Sequence, residues 1–358
     1  MTARDIRGSR KRFGPLGVLF FFIGMVMFAY FVKKAGPNQI TDGIRNLGYR
    51  FLLIICISAI RQIARSLAWS LCMEAPYRLR FWDAFRARLM GDAIGNVLPF
   101  ASFGISEAAK PALIRDRIPL LPGLSAITIE NIFYSLTVTI FVFSGMTALL
   151  LSFSLPKGLQ LVSIVTIALV LIVIAFVLLL IRKQLRFVSS TARFLIRFGL
   201  EAKWSEQGKI FEDRVYGFYK RNKSRFLPIL LLEACFHLAG VAEIFVTLSF
   251  ISPLQPPTIL TAFILESVNR VITMAFKFIP LRMGVDEAGT GKVSQVLNFA
   301  EATGVTLAII RKARDVFWAA IGMILLLQRG LSLRLVAEEA EAAVAEAMDV
   351  SASAGRTA

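Results

Sequence analysis

The sequence contains few of the residues that hold metals or cross-link small domains. It has one His and three Cys, and the cysteines (Cys56, Cys72 and Cys235) lie in or beside apolar segments without any CxxC spacing. This pattern argues against a disulfide framework and against a zinc site. No two Asp residues lie within three positions of each other, so the sequence also lacks the clustered carboxylates of a divalent-metal site. We therefore expect no cofactor.

Acidic residues are scarce relative to basic ones. The chain has 41 Lys and Arg against 24 Asp and Glu, a net charge of +17. A soluble protein with this balance would be a candidate for nucleic-acid binding. Cytoplasmic loops of membrane proteins, however, also carry an excess of Lys and Arg, and residues 182–225 alone hold 12 basic and 4 acidic residues. We therefore expect no nucleic-acid partner.

Long apolar segments dominate the sequence, of which 56% is hydrophobic. Residues 159–181 run for 23 positions without a charge, enough for a helix to cross about 30 Å of hydrocarbon. Lipid offers no partner for backbone polar groups, so spanning segments must be helices that satisfy their own hydrogen bonds. The sequence predicts an all-α, polytopic transmembrane bundle. The other apolar stretches are 16–32, 51–73, 120–153, 226–251, 258–279 and 306–328.

The distribution of charge predicts the orientation. Basic residues precede the first apolar stretch and fill 182–225, while the loop 252–257 has no charge. Lys and Arg favour the cytoplasmic side, so we expect a multi-pass protein of the bacterial inner membrane with both termini in the cytoplasm. Counting crossings then requires 81–119 to enter the membrane and return, with Pro99 ending a helix at the turn.

The second half repeats this pattern in the opposite orientation. We expect an apolar helix over 258–280 that ends at Pro280, a polar return over 281–303 and a last span over 306–328. The segment Gly104-Ile-Ser-Glu107 matches Gly284-Val-Asp-Glu287, and Glu130-Asn-Ile-Phe133 matches Arg314-Asp-Val-Phe317. Inverted repeats with broken helices are typical of secondary transporters.

The predicted organisation is therefore a transmembrane domain over 1–329 with about six full spans and two re-entrant hairpins. Its repeat halves are about 51–181 and 226–328, joined by the basic interfacial segment 182–225. An acidic, Ala-rich cytoplasmic tail follows over 330–358.

Charged residues inside the apolar segments are the candidate site. A charge at the bilayer centre costs at least about 2.5–3.5 kcal/mol, so these side chains must face each other, a hydrated cavity or a polar ligand. The alternative for each is a structural ion pair or snorkelling to the interface. His237, four residues after Glu233, is expected to be a core histidine rather than a metal ligand. The candidate substrate-binding and pathway residues are Arg61, Arg65, Asn96, Glu107, Glu130, Glu266, Arg270, Glu287, Arg311, Arg314 and Asp315.

The duplicated motifs lead to a specific arrangement. We expect Glu107 and Glu287 to lie on opposite sides of one central polar cavity, with Glu130 and Arg314 on its walls. Arginines suit phosphate through bidentate contacts, and the carboxylates would meet cationic parts of a headgroup or protons.

These motifs resemble a known family. Two runs of residues resemble the two signatures of the lysylphosphatidylglycerol synthase transmembrane family, and the resemblance covers residues 16–329. The first extends from Gly91 through Asn96 and Pro99 to Glu107, and the second extends from Pro280 to Glu287 and is followed by 311–315. That family is similar to the flippase half of the multiple peptide resistance factor, which moves aminoacylated phosphatidylglycerol across the inner membrane. The resemblance implies movement of a polar-headed lipid. Only about 30 residues follow the last predicted span, so synthesis of the lysyl-lipid is not expected.

Two alternatives remain at this stage. The chain could be a membrane-embedded transferase, or a scaffold partner of an enzyme that makes envelope glycolipids or hopanoids. The missing Asp clusters argue against the first, and the many intramembrane charges argue against the second. The favoured substrate is a membrane lipid with an anionic or zwitterionic headgroup, with envelope-biosynthesis enzymes as further candidate partners.

Overall fold

The computed structural model describes residues 30, 33, 37–97, 105–183, 203–277 and 279–328. Within this part of the chain the regular structure is helical and contains no β-strand. Nearly all of the predicted first span at 16–32, the turn at Pro99, the stretch 184–202 and the tail 330–358 lie outside the described residues.

The helices follow one another with short connections. In chain order they are α1 (Pro37–Leu47), α2 (Phe51–Cys72), α3 (Phe81–Val97), α4 (Ile105–Ala112), α5 (Leu120–Ser152), α6 (Lys157–Lys183), α7 (Lys203–Arg221), α8 (Lys223–Ile251), α9 (Ile259–Ala275), α10 (Val285–Val296) and α11 (Glu301–Gln328). Short 3-10 turns lie at Gly48–Arg50 and Pro280–Arg282.

Within the described residues, four helical segments are long and apolar enough to cross a membrane: Ile44–Cys72, Leu120–Ser152, Lys157–Ala175 and Lys223–Ile251. All four match apolar stretches of the sequence, which confirms the predicted polytopic α-helical membrane fold. The third segment, in α6, has only 6% of its most apolar stretch buried inside the protein. A helix that is apolar all round and lies at the edge of the bundle suits contact with lipid tails.

In the bundle, helices of one predicted half pack on helices of the other. The most extensive packing joins α2 to α8, α3 packs on α11, and α5 packs on α9. If the predicted halves are taken as α2–α5 and α8–α11, the second helix of each half packs on the fourth helix of the other. The charged residues of α2 lie between its two apolar parts, which enter separate hydrophobic clusters around Ile54 and Trp69.

The segment around Pro280 differs from the sequence prediction. The helix ends at Ala275 instead of Pro280, and α10 begins at Val285. The residue before a proline is disfavoured in α conformation. The chain then turns through left-handed backbone at Leu281 (φ 48°), Arg282 (φ 52°) and Gly284 (φ 78°) before α10 begins. The predicted polar return contains a 12-residue helix, α10.

Part of the predicted interfacial segment 182–225 is a helix docked on the bundle. Helix α7 is fastened by Arg221, whose Nε and Nη2 each lie 2.9 Å from a carboxylate oxygen of Glu74. Its Phe218 is buried and packs edge-to-face on Phe133 of α5. The basic segment is therefore joined to the loop after α2 as well as to the membrane-spanning helices.

A close approach at Gly322 brings α11 against α3. A Cβ at this position would lie 2.2 Å from the Leu89 carbonyl oxygen and 2.8 Å from the Ala93 Cβ. Backbone cannot yield as a flexible side chain does, so Gly322→Ala should force the two helices apart. We expect it to destabilise the protein by about 1–3 kcal/mol, measured as a lower midpoint of thermal unfolding in detergent.

The matched control for this prediction is Gly158→Ala in α6. A Cβ there meets nothing within 4 Å, and Ala is the better helix former. Equal thermal midpoints for the two variants would contradict the tight packing of α3 on α11.

Candidate functional site

A cavity of about 320 Å³ lies where the two predicted halves meet. Its walls come from α2, α3, α4, α8, α9, α11 and the turn before α10. Charged residues of both signs line it: Arg61, Asp92, Glu107, Lys277, Arg282, Arg314 and Asp315. Such a set of charges suits a polar or zwitterionic group, because an apolar ligand would displace water from them without offering a polar contact in return.

One wall of the cavity is acidic. Asp92 of α3 and Glu107 of α4 keep 38% and 34% of their side chains exposed, and both bind the buried ammonium of Lys110 at 2.9 and 2.7 Å. Asn131 of α5 donates a hydrogen bond of 2.9 Å to Glu107. A Cβ on Gly91 would lie 2.5 Å from Lys110 Cγ, so this glycine makes room for the lysine. The two carboxylates are thus held in place from behind while remaining accessible from the cavity.

The opposite wall carries guanidinium groups. Asp315 accepts hydrogen bonds from Arg314 Nε and Nη2 at 3.1 and 2.7 Å and from Arg282 at 3.0 Å. Arg314 also contacts Glu243 of α8, which in turn accepts a bond of 3.1 Å from Arg61. This ion-pair chain links α2, α8, α11 and the turn before α10, so the arginine positions depend on how all four elements pack.

Glu266 and Arg270 of α9 form the ion pair that their four-residue spacing predicts. Glu266 also lies 3.6 Å from Arg61. A Cβ on Gly240 would lie 2.4 Å from Glu266 Oε1, so this glycine lets the carboxylate pack against α8. The guanidinium groups of Arg61 and Arg270 lie 4.6 and 4.8 Å from the ring centre of Phe236, within range of a cation–π interaction.

Glu130 is buried behind the cavity and does not line it, contrary to the expected position on a wall. Its carboxylate accepts hydrogen bonds from Arg65 at 2.7 and 2.9 Å and from Arg88 at 2.9 Å. Arg88 is not among the predicted site residues, because in the sequence it follows the basic residues Arg78, Arg80 and Arg86. In the structure Arg88 is 1% exposed and belongs to the bundle interior.

Glu287 also lies apart from the cavity, contrary to the expectation that it would face Glu107. It is fully buried, accepts a 2.8 Å hydrogen bond from the Gly284 backbone N–H and pairs with Lys312. Neighbouring Asp286 pairs with Arg311 at 2.7 Å. Because α10 packs along α11, its acidic residues are used to join these two helices. Arg311 is therefore engaged in that contact and does not line the cavity.

The remaining candidates divide as follows. Arg61, Glu107, Arg314 and Asp315 line the cavity, and Arg65 lies behind it, bonded to Glu130 and Asn131. Asn96 lies near the end of α3, and its side chain is outside the described part of the structure.

The single His is part of the core. His237 stacks on Phe141 with ring centres 4.8 Å apart, and its Nε2 lies 3.3 Å from the Thr137 hydroxyl. Among the described residues no group of three His, Cys, Asp or Glu side chains is placed to hold a metal ion.

Several cavity and network residues were absent from the predicted set, above all Asp92, Lys110, Glu243 and Arg282. Asp92 lies between Gly91 and Gly95, a pair that the sequence indicates only as a helix-packing motif. A signal for Lys110 existed in its three-residue spacing from Glu107, which brings both to one helix face. Glu243 and Arg282 are joined to their partners only by tertiary packing.

A family model described as the lysylphosphatidylglycerol synthase TM region matches residues 16–322 of this chain. It therefore covers most of the sequence, including the helices that line the cavity. No curated protein matches the chain. No solved structure matches it either.

Proposed function

This chain belongs to the lysylphosphatidylglycerol synthase TM region family, and from this premise we propose that it moves a polar-headed lipid across the membrane. The observation that carries the proposal is the charged cavity between the two halves. A headgroup cannot cross hydrocarbon without a polar environment, whereas its acyl chains can remain in lipid beside the bundle. A membrane protein of this synthase and flippase type therefore needs such a cavity for translocation.

The charges of the cavity support an anionic or zwitterionic headgroup. Arg314 and Arg282 on one wall could exchange part of their contact with Asp315 for a phosphate, which guanidinium groups bind through paired hydrogen bonds. Asp92 and Glu107 on the other wall are accessible to a cationic part of the headgroup. The anionic and the cationic part of the headgroup would then each meet wall charges of the opposite sign.

The exchanged packing of the helices supports an inverted repeat with halves of about 51–181 and 226–328. In that arrangement each half contributes one wall of the cavity, and rocking of one half against the other would open it to alternate sides. We further propose that the protein lies in a bacterial inner membrane with both termini in the cytoplasm, as the basic segments favour.

Filling the cavity should stop transport. Ala319 of α11 lines the cavity, and Ala319→Trp would place an indole in the space that the headgroup needs. The assay uses vesicles of phosphatidylglycerol or phosphatidylethanolamine that carry a fluorescent label on one acyl chain, so the headgroup stays native. An impermeant reductant then reports how fast label reaches the outer leaflet. We expect the purified protein to accelerate this exchange and Ala319→Trp to reduce the acceleration by at least about tenfold, or about 1.4 kcal/mol in the barrier.

The matched control is Ala320→Trp, one position along the same helix. Ala320 is exposed on the outside of the bundle and does not line the cavity, so transport should be kept. If neither lipid moves faster with the wild-type protein than in empty vesicles, translocation of these headgroups is excluded. Equal transport by the two Trp variants would show that the cavity is not the path.

A further inference from the structure

Glu233 of α8 is a carboxyl group without the partners that its neighbours have. Its side chain is fully buried, and neither carboxylate oxygen accepts a hydrogen bond from the residues that the structure describes. Its ion-pair contact is a long one with Arg65, whose Nε lies 3.9 Å from Glu233 Oε2. That same nitrogen lies 2.7 Å from Glu130 Oε1. The carboxyl groups of Glu130 and Glu233 therefore lie side by side against the guanidinium of Arg65, and Glu130 makes the shorter contact.

Among the described residues, none of the surrounding charged groups donates a hydrogen bond to Glu233. Helix α2 presents Arg65 and the thiol of Cys72, and α3 presents Arg88, which donates to Glu130 and to the Arg65 backbone. On α8 itself, His237 lies one turn further and contacts Thr137.

The other charges near α8 are engaged elsewhere. Glu266 and Arg270 of α9 and Arg314 of α11 form the ion pairs with Arg61 and Glu243. Glu243 lies about three helical turns beyond Glu233.

An ionised carboxylate in this position would be unstable. Burial without hydrogen bonds penalises the charged form, and a second carboxylate at the same guanidinium repels it. Two carboxyl groups that share one site reduce this repulsion by holding a single proton between them. The protonated acid can then donate its O–H to the neighbouring carboxylate, which removes the repulsion and supplies the missing hydrogen bond.

We propose that Glu130 and Glu233 form a carboxyl pair that binds one exchangeable proton within the membrane-spanning bundle. A hydrogen-bonded path connects this pair to the cavity. Arg65 Nη2 donates to Asn131 at 3.1 Å, and Asn131 donates to Glu107 at 2.9 Å on the acidic wall. Loss of the proton would add a negative charge beside Arg65 and weaken its hold on Glu130 and Asn131. The proton site stands on its own, whereas its coupling to lipid movement rests on the proposed function.

Infrared spectroscopy of the full-length protein in lipid discs tests the proton site directly. A protonated carboxylic acid has a carbonyl stretch separate from that of a carboxylate, and it shifts when water is replaced by deuterium oxide. We expect wild-type protein near neutral pH to show one such band from glutamate, identified by its further shift when the protein is made with carbon-13-labelled glutamate. The band should be absent from Glu233→Gln and kept in Glu301→Gln, where the replaced side chain pairs with Gln295 near the surface.

Two results would overturn the proton site. One is a wild-type spectrum without any protonated glutamate band, a test that does not depend on whether a variant folds. The other is a band that persists unchanged in folded Glu233→Gln.

The coupling is tested in the vesicle assay with a pH gradient of either sign. Wild-type transport should depend on the sign of the gradient, and in Glu233→Gln the ratio of the two rates should approach unity. A wild-type ratio of unity, with the infrared band present, would reject the coupling and leave the proton site. If the wild-type protein moves no lipid, the proposed function fails, and the infrared result still decides the proton site.

Discussion

Arg314→Ala is expected to lower the free energy of unfolding by about 3–5 kcal/mol, the usual cost of removing one partner of a buried ion pair. Its guanidinium contacts both Glu243 of α8 and Asp315, and the side chains of Arg314 and Glu243 are only 9% and 2% exposed. Without Arg314, Glu243 keeps Arg61 as its partner and Asp315 keeps Arg282, but each has lost a buried donor. The measurement is the midpoint of thermal or denaturant unfolding in detergent.

The control for this prediction is Arg117→Ala. Arg117 also pairs with a carboxylate, that of Asp83, but its side chain is 61% exposed, and exposed pairs contribute only about 0–1 kcal/mol. Combining Glu243→Gln with Arg314→Ala should cost less stability than the sum of the two single losses, because both substitutions break the same ion pair. Equal losses for Arg314→Ala and Arg117→Ala would mean that the buried ion-pair chain does not hold α8 and α11 together.

Glu287→Gln is expected to cost about 3 kcal/mol of stability, a loss that a residue acting only in the lipid pathway would not show. The carboxylate is fully buried, caps the start of α10 at the Gly284 backbone N–H and neutralises Lys312. A neutral amide leaves the buried ammonium of Lys312 with only Asp286, whose oxygen is 3.8 Å away. Thermal unfolding of the purified variant measures the loss.

Glu107→Gln, at the corresponding position of the matching motif, is the comparison variant. Glu107 is partly exposed to the cavity, and its partner Lys110 retains Asp92 at 2.9 Å. This variant should therefore unfold close to the wild-type temperature and show its defect in vesicle transport. Two variants with the same profile, either both unstable or both stable and inactive, would contradict the different roles that the structure assigns to the matching motifs.

The sequence alone was enough to predict an α-helical membrane protein with several spans. Uncharged runs such as 159–181 can satisfy their backbone only as helices in lipid, and four helices of the right length and composition are present. The spacing of residues along one helix was enough to predict contacts within that helix, such as the ion pair between Glu266 and Arg270. The motifs around Glu107 and Glu287 were enough to predict the family to which the chain belongs.

The tertiary structure decided which charges meet. Glu107 and Glu287 occupy matching motifs, yet one faces the cavity and the other joins α10 to α11, because Glu107 pairs with Lys110 of its own helix whereas Glu287 pairs with Lys312 of α11. Arg88 is near other basic residues in the sequence but is buried against Glu130, 42 positions away. A charge inside a membrane must face an opposite charge, water or a polar ligand, and the sequence alone shows only that requirement. Which partner it finds depends on how distant helices pack, as where α2 packs on both α5 and α8 and Arg65 meets Glu130 of the first and Glu233 of the second.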